Sequence, residues 1–196
     1  MRPLPNRVDP FGQLHAVGAR GLLMGNRGGR FHNRDQTLGK RRCASRQWIA
    51  CVCQFKGRRR GVWQTGYTEL FFLDEVTALA AGHRLCFECR RADALEFQAR
   101  FGPGGLRVAA MDRVLHAERL ARHPRPAALP DLPDGAMVSA GNAAFAVRHG
   151  GLLAWHFEGY APAGAALAGT PLQLLTPLSI LEVLLRGYVP SWHPTA

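Results

Sequence analysis

No apolar run in this 196-residue sequence approaches the roughly 18 residues of a membrane span, and the opening MRPLPNRVDP lacks the apolar stretch of a signal peptide. Those absences predict a cytoplasmic protein. The cysteines number five, and an odd count without a secretion signal argues against a disulfide framework. Serine is scarce: Ser45, Ser139, Ser179 and Ser191 are the only four, and none lies in a nucleophile-elbow motif. There is no GxxxxGK phosphate loop, no GxGxxG turn after a strand, no HxxxH or HExxH pair and no internal repeat. What is present, 47% hydrophobic and 20% charged residues, suffices for one folded domain with or without a small appendage.

Acidic residues are almost missing from the first 60 positions, where only Asp9 and Asp35 oppose 14 Lys+Arg, a net of +12. Residues 61–196 carry 11 basic and 12 acidic residues, a net of −1. A one-sided positive field suits an anionic polymer, because each phosphate neutralised releases condensed counterions. Of the 25 basic residues 23 are Arg, a bias that a GC-rich genome also produces. Nucleic acid, DNA in preference to RNA, is the expected partner and membrane is not. The residues expected to meet its backbone are Arg27, Arg30 and Arg34 in the loop GNRGGRFHNRD (25–35), with Lys56, Arg58, Arg59 and Arg60 in KGRRRG. Glycines in the first segment would let backbone N–H groups approach a phosphate, or simply make a flexible connection. Trp48, Phe55, Trp63 and Tyr67 stand near the second segment and suit base stacking or core packing, with core the expectation for Trp48 and Phe55.

The hydrophobic pattern predicts an α+β fold. WIACVCQF (48–55) reads as a buried strand, and YTELFFL (67–73) as its hairpin partner across the basic tip. DEVTALAAG (74–82) reads as a short helix capped near Asp74 and stopped at Gly82. A second helix should open at or after Cys86-Phe-Glu-Cys89 and run to about residue 100, and a third should cover Val108 to His123. Prolines 124, 126, 130 and 133 suggest a linker over 124–134 between a basic, metal-bearing part (1–123) and a last part (135–196). That last part reads as a β-meander followed by a helix in TPLSILEVLLRGY, with Thr176 capping it.

Cys86 and Cys89 have the spacing of a zinc knuckle, in which two thiolates face one metal ion. Cys51 and Cys53, at i and i+2 on a strand, share a face and are the expected second pair, with Cys43 and His83 in reserve. Zinc is therefore the expected cofactor, with small reduced core cysteines as the competing reading.

The stretch LFFLDEVTALAAGHRLCFECRR (70–91) resembles the zinc-binding domain of Ada-type DNA alkylation-repair proteins. Phe71, Phe72, Ala78, Ala81, Gly82, Arg84, Cys86, Cys89 and Arg90 carry the likeness. Together with TPLSILEVLLRGYVP it is also similar to an uncharacterised family of bacterial proteins. The Ada likeness implies a local zinc knuckle and little more. That family carries its upstream ligands as C-x3-C, whereas the pair here is C-x-C, and Leu85 and Arg91 stand where it has proline. The methyl-accepting role of one upstream cysteine in that family therefore does not carry over to this sequence.

Asp112 and His116 share a helix face, so an acid/base pair is conceivable there, with Glu118 nearby; a surface ion-pair ladder with Arg113 and Arg119 is the preferred reading. Two functions follow. One is a zinc-stabilised binder of nucleic acid phosphates; the other is a metal-assisted enzyme acting on nucleic acid or another anionic substrate. Ligand count separates them, since a four-cysteine site is closed whereas a catalytic zinc keeps an open position for water; the two cysteine pairs favour the closed site and hence the binder.

Overall fold

The computed structural model describes residues 2–58, 61–64, 66–121, 125–163 and 170–196. The fold is α+β, with two six-stranded sheets and four helices among the described residues. The first sheet contains β1 (Arg7–Val8), β2 (Leu14–His15), β3 (Leu23–Arg27), β4 (Trp48–Val52), β5 (Leu70–Phe72) and β6 (Arg84–Leu85). Their order across the sheet is β2-β1-β5-β3-β4-β6. The β1/β5 and β4/β6 pairs are parallel and the others antiparallel.

The expected hairpin between residues 48–55 and 67–73 is not formed. β5 pairs with β1 and β3, and β3 lies between β5 and β4. Gly25, Asn26 and Arg27, expected as the start of an exposed loop, instead complete a central strand, because Gly25 fits where nothing larger can. A Cβ there would lie 2.3 Å from the Ile49 carbonyl oxygen and 2.7 Å from the Phe72 ring. The basic loop therefore begins at Gly28, after Arg27 has been drawn into the sheet.

Helix α1 (Glu75–Ala80) follows β5, capped by Asp74, whose Oδ1 accepts from Thr77 N at 2.9 Å. Every residue of α1 is buried, which explains its run of small side chains. Ala78 and Ala81 face Ala50, Leu70 and Phe72 of the first sheet. Val76 and Ala80 face Met137, Ala144 and Ala146 of the second. Leu79 enters a helical cluster with Phe97, Met111, Leu115 and Ile180. Three hydrophobic clusters thus meet at one helix of six residues. Gly82, at φ +78°, then stops it in a conformation that glycine adopts without penalty.

The remaining helices are α2 (Arg91–Arg100), α3 (Val108–Leu120) and α4 (Leu178–Leu185); His123 lies outside the described residues. The segment read as a linker contributes β7 (Pro126–Ala127) to the second sheet. That sheet also holds β8 (Met137–Ala140), β9 (Ala143–Arg148), β10 (Gly151–His156), β11 (Gly159–Pro162) and β12 (Leu172–Leu174). Strands β8 to β11 form the expected meander, and the order is β11-β10-β9-β8-β12-β7. Thr176 does not cap α4; its hydroxyl accepts from Met137 N at 2.8 Å. Glu118 of α3 does so instead, accepting from Ser179 N at 3.0 Å and Ser179 Oγ at 2.7 Å.

His83, wholly buried, packs edge-on to Phe72 and accepts from Arg27 Nε at 3.4 Å. Burial first, then the Arg27 and Arg119 charges, hold its pKa well below the usual value of 6.5. The unfolded chain therefore takes up a proton that the folded chain refuses. This contribution to stability is complete above the unfolded pKa and declines as pH falls through it, by up to about 1.4 kcal/mol per pH unit for one proton. Urea midpoints between about pH 5.5 and 7.5 should show this slope, reduced in His83→Gln. An identical slope in the variant would reject the assignment.

Candidate metal centre

Alternation along the strands divides the first sheet into two faces. Ala50, Leu70 and Phe72 point into the core, as their clustering and burial show. The registers Met24↔Cys51 and Met24↔Phe71 place these three side chains on the opposite face. The parallel pair Ala50↔Leu85 continues one residue further, where Cys86 N donates to Ala50 O at 3.0 Å. Cys86 is thereby delivered beside Cys51, and the turn before α2 brings Cys89 to both.

The sulfurs of Cys51, Cys86 and Cys89 all lie within 4.8 Å of one another, a group that can hold a metal ion. Tetrahedral zinc with Zn–S bonds of about 2.3 Å separates its sulfurs by about 3.8 Å, so little movement is required. Glu88 N donates to Cys86 Sγ at 3.4 Å, a backbone bond that steadies the knuckle. Hydrogen bonding from the Cys51 thiol, aided by the Cys89 and Glu88 amides, lowers the Cys86 pKa to about 5. The same bond, then burial, drives the Cys51 pKa upward, while burial leads the rise at Cys89. The hydrogen bonds to Cys86 thus favour its thiolate form over those of its two neighbours.

The expected fourth ligand stands apart. β4 ends at Val52, and the chain bends at Cys53, so the i, i+2 rule no longer fixes its direction. Its exposed thiol donates to Leu22 O at 3.4 Å instead. His83 is enclosed by Trp48, Phe72 and Arg27, and Cys43 lies outside the group. The three grouped thiols line a cleft of ≈ 200 Å³, whose wall also includes Cys53, Phe55, Phe71 and Asn26. Glu69 joins them, 3% exposed, its Oε2 accepting from Trp63 N at 2.8 Å. Composition draws no attention to Asn26 or Glu69. Strand alternation would have found Asn26, two residues from Met24 on one face of β3; Glu69 precedes β5 and carries no such signal.

The basic residues divide. Arg27 is 1% exposed, stacks on Trp48 at 3.8 Å and donates to Gly12 O at 2.8 Å, so it belongs to the core and not to a phosphate-binding surface. Arg30 and Arg34 are exposed. Lys56 is exposed beside Phe55; Arg58 is also exposed and pairs with Glu88 at 2.8 Å at the cleft. Arg59 and Arg60 lie outside the described residues. The loop after Arg27 and the segment after Val52 leave opposite ends of the β3/β4 ladder, about 14 Å apart. The second then returns, and Trp63 stacks on His32 with ring centroids 5.0 Å apart.

The acid/base pair, the less favoured reading of this helix face, does not form, and Asp112 does not belong to a surface ion-pair ladder either. Asp112 is buried against Arg84 at 2.7 Å, and Glu118 is engaged with Ser179. His116 is left with a pKa lowered by burial, then by Arg119 and Arg46.

No family model matches the chain, and neither a curated protein nor a solved structure is significantly similar to it.

Proposed function

We propose that this chain is a zinc-thiolate protein that binds nucleic acid through its phosphate backbone. The observation that carries the metal half is the group of three sulfurs within 4.8 Å, on a strand and a knuckle that the sheet register brings together. Thiolate ligands select zinc over the hard cations magnesium and calcium. The likeness of residues 70–91 to Ada-type zinc-binding domains supports the same reading. The nucleic-acid half rests on charge: Arg30, Arg34, Lys40, Arg41, Arg42 and Arg46 are exposed in one connection. Its single carboxylate, Asp35, is already bonded to Thr37. Affinity should fall steeply with salt and depend weakly on sequence.

A metal-assisted enzyme is the second reading, favoured by the three-thiol count. A fourth position facing the cleft would accept water, whereas a swing of Cys53 into it would close the site. Metal analysis and X-ray absorption on purified protein decide the metal reading. About one zinc per chain is expected with three sulfur neighbours and one light atom, lost in Cys86→Ser and kept in Cys53→Ser. Four sulfurs, with loss in Cys53→Ser, would establish the closed site; wild type without metal would refute the zinc reading. A salt series with DNA decides the other half. Replacement of Arg30 and Arg34 together by Ala should weaken binding and flatten the salt slope, and no binding at low salt would refute it.

A further inference from the structure

We propose that the cleft beside the three thiols receives one unstacked nucleobase, read by Asn26 and Glu69 and packed against the cleft's aromatic rings. The proposal rests on the nucleic-acid reading above and names what the cleft does within it. Its starting point is register. The β3/β5 register ends at Gly25↔Leu70; Asn26 follows on β3, on the face of Met24 and Cys51, and Glu69 immediately precedes β5. Both residues line the cleft.

Their hydrogen bonds leave a donor and an acceptor unused. Asn26 Oδ1 accepts from Gly28 N at 2.9 Å, and its Nδ2 has no protein partner among the described residues. Glu69 Oε2 accepts from Trp63 N, and its carbonyl oxygen accepts from Trp63 Nε1 at 2.9 Å. Oε1 has no protein partner among the described residues, and no Lys or Arg there forms an ion pair with this carboxylate. Glu69 lines the cleft, where an N–H supplied by a ligand can reach its open carboxylate oxygen in a charge-assisted hydrogen bond. A neighbouring donor and acceptor match the edge that every nucleobase presents, an N–H beside a carbonyl oxygen or ring nitrogen.

Phe55, Tyr67 and Phe71 line the same cleft, and aromatic rings stack on bases with little regard to identity. The volume, ≈ 200 Å³, is below the roughly 300–1,000 Å³ typical of drug-sized ligands and suits one flat ring system. Arg58, at the cleft, can meet the phosphate of the same nucleotide by exchanging its exposed pair with Glu88. A base in a duplex is stacked and cannot enter, so the proposal requires a single strand or a nucleotide flipped from the stack.

The test uses the zinc-loaded full chain and three fluorescent probes: a single-stranded deoxyoligonucleotide, an abasic strand of equal length, and the duplex. Wild type should bind the single strand about tenfold more tightly than the other two, because only there can a base stack in the cleft. Asn26→Ala and Glu69→Gln should each reduce that preference severalfold and leave abasic affinity unchanged. The Arg30 and Arg34 double replacement should weaken all three probes alike. Equal affinity for the strand and its abasic form, or a preference that survives both cleft substitutions, would overturn the base pocket while leaving backbone binding intact. If no probe binds at low salt, the nucleic-acid reading fails, and nucleoside monophosphates then decide the cleft by NMR. Saturable shifts of Phe71 and Tyr67, lost in Asn26→Ala, would assign it to a free nucleotide; no shifts would end the proposal.

Discussion

Arg90→Ala is expected to lower the unfolding free energy by about 3–5 kcal/mol, as found when one partner of a buried ion pair is removed. Its guanidinium bonds Glu75 Oε2 at 2.9 Å and Asp93 Oδ2 at 2.7 Å. The Glu75 side chain has no solvent exposure, so without Arg90 its charge is compensated only by hydrogen bonds. Those bonds come from the C-terminal segment: the Tyr188 hydroxyl donates to Oε1 and Ser191 N to Oε2, at 2.9 Å for the latter. The adjoining Asp74 receives Tyr160 OH at 2.9 Å and His193 N at 3.1 Å. Asp74 and Glu75 at the start of α1 therefore fasten the chain's last residues. Arg90, next to Cys89, ties that fastening to the knuckle. Denaturant midpoints should fall in Arg90→Ala and recover only partly in Arg90→Lys, which keeps charge but not the guanidinium fork. Protease cleavage within residues 188–196 should accelerate in parallel. A loss of stability with an equally protected tail would separate the two effects and remove the link.

Much of the architecture follows from local pattern. Asp74 and Gly82 bracket α1 because a side-chain cap and a left-handed stop have short-range causes. The knuckle is legible in Cys-x-x-Cys for the same reason. The meander shows in Gly-Asn and Gly-Gly between runs of alternating residues. What pattern alone misses is pairing at long range. WIACV and LFF look like adjacent strands of one hairpin, yet β3, from 25 residues upstream of β4, separates them. Its identity depends on Gly25 lying against Ile49 O, a contact that no window of sequence contains.

Side-chain roles were legible in proportion to how local they are. Cys51 joins Cys86 and Cys89 through the β4/β6 pairing, whereas the expectation for Cys53 extended strand geometry one residue beyond the strand. Arg27 appears solvent-directed in a glycine- and arginine-rich stretch, but strand parity sends it to the core beside Trp48 and His83. In both cases the deciding fact is where a strand ends. Strand ends are set by partner strands and not by the residues themselves.

Asp112→Ala is expected to be as damaging as the loss of Arg90, about 3–5 kcal/mol, and to weaken metal binding as well. Arg84 Nε and a terminal nitrogen bond the two carboxylate oxygens of Asp112, at 2.7 and 3.0 Å. Both side chains are nearly closed to solvent, at 5% and 6% exposure, so truncating the acid leaves a buried cation without its partner. Arg84 occupies β6, whose two-residue pairing with Ile49 and Ala50 is what places Cys86 beside Cys51. A shift of this short strand separates the knuckle from its third ligand. Zinc affinity should therefore drop about 10–100-fold, the range seen when an outer support of a metal site is removed. A double replacement, Arg84→Met with Asp112→Leu, removes both charges and should regain most of the stability, because buried ion pairs are often no better than packed apolar side chains. Chemical denaturation of both variants and competition with a zinc chelator supply the two readings. An Asp112→Ala protein of wild-type stability would show that the pair is solvated, and unchanged zinc affinity would show that β6 does not position Cys86.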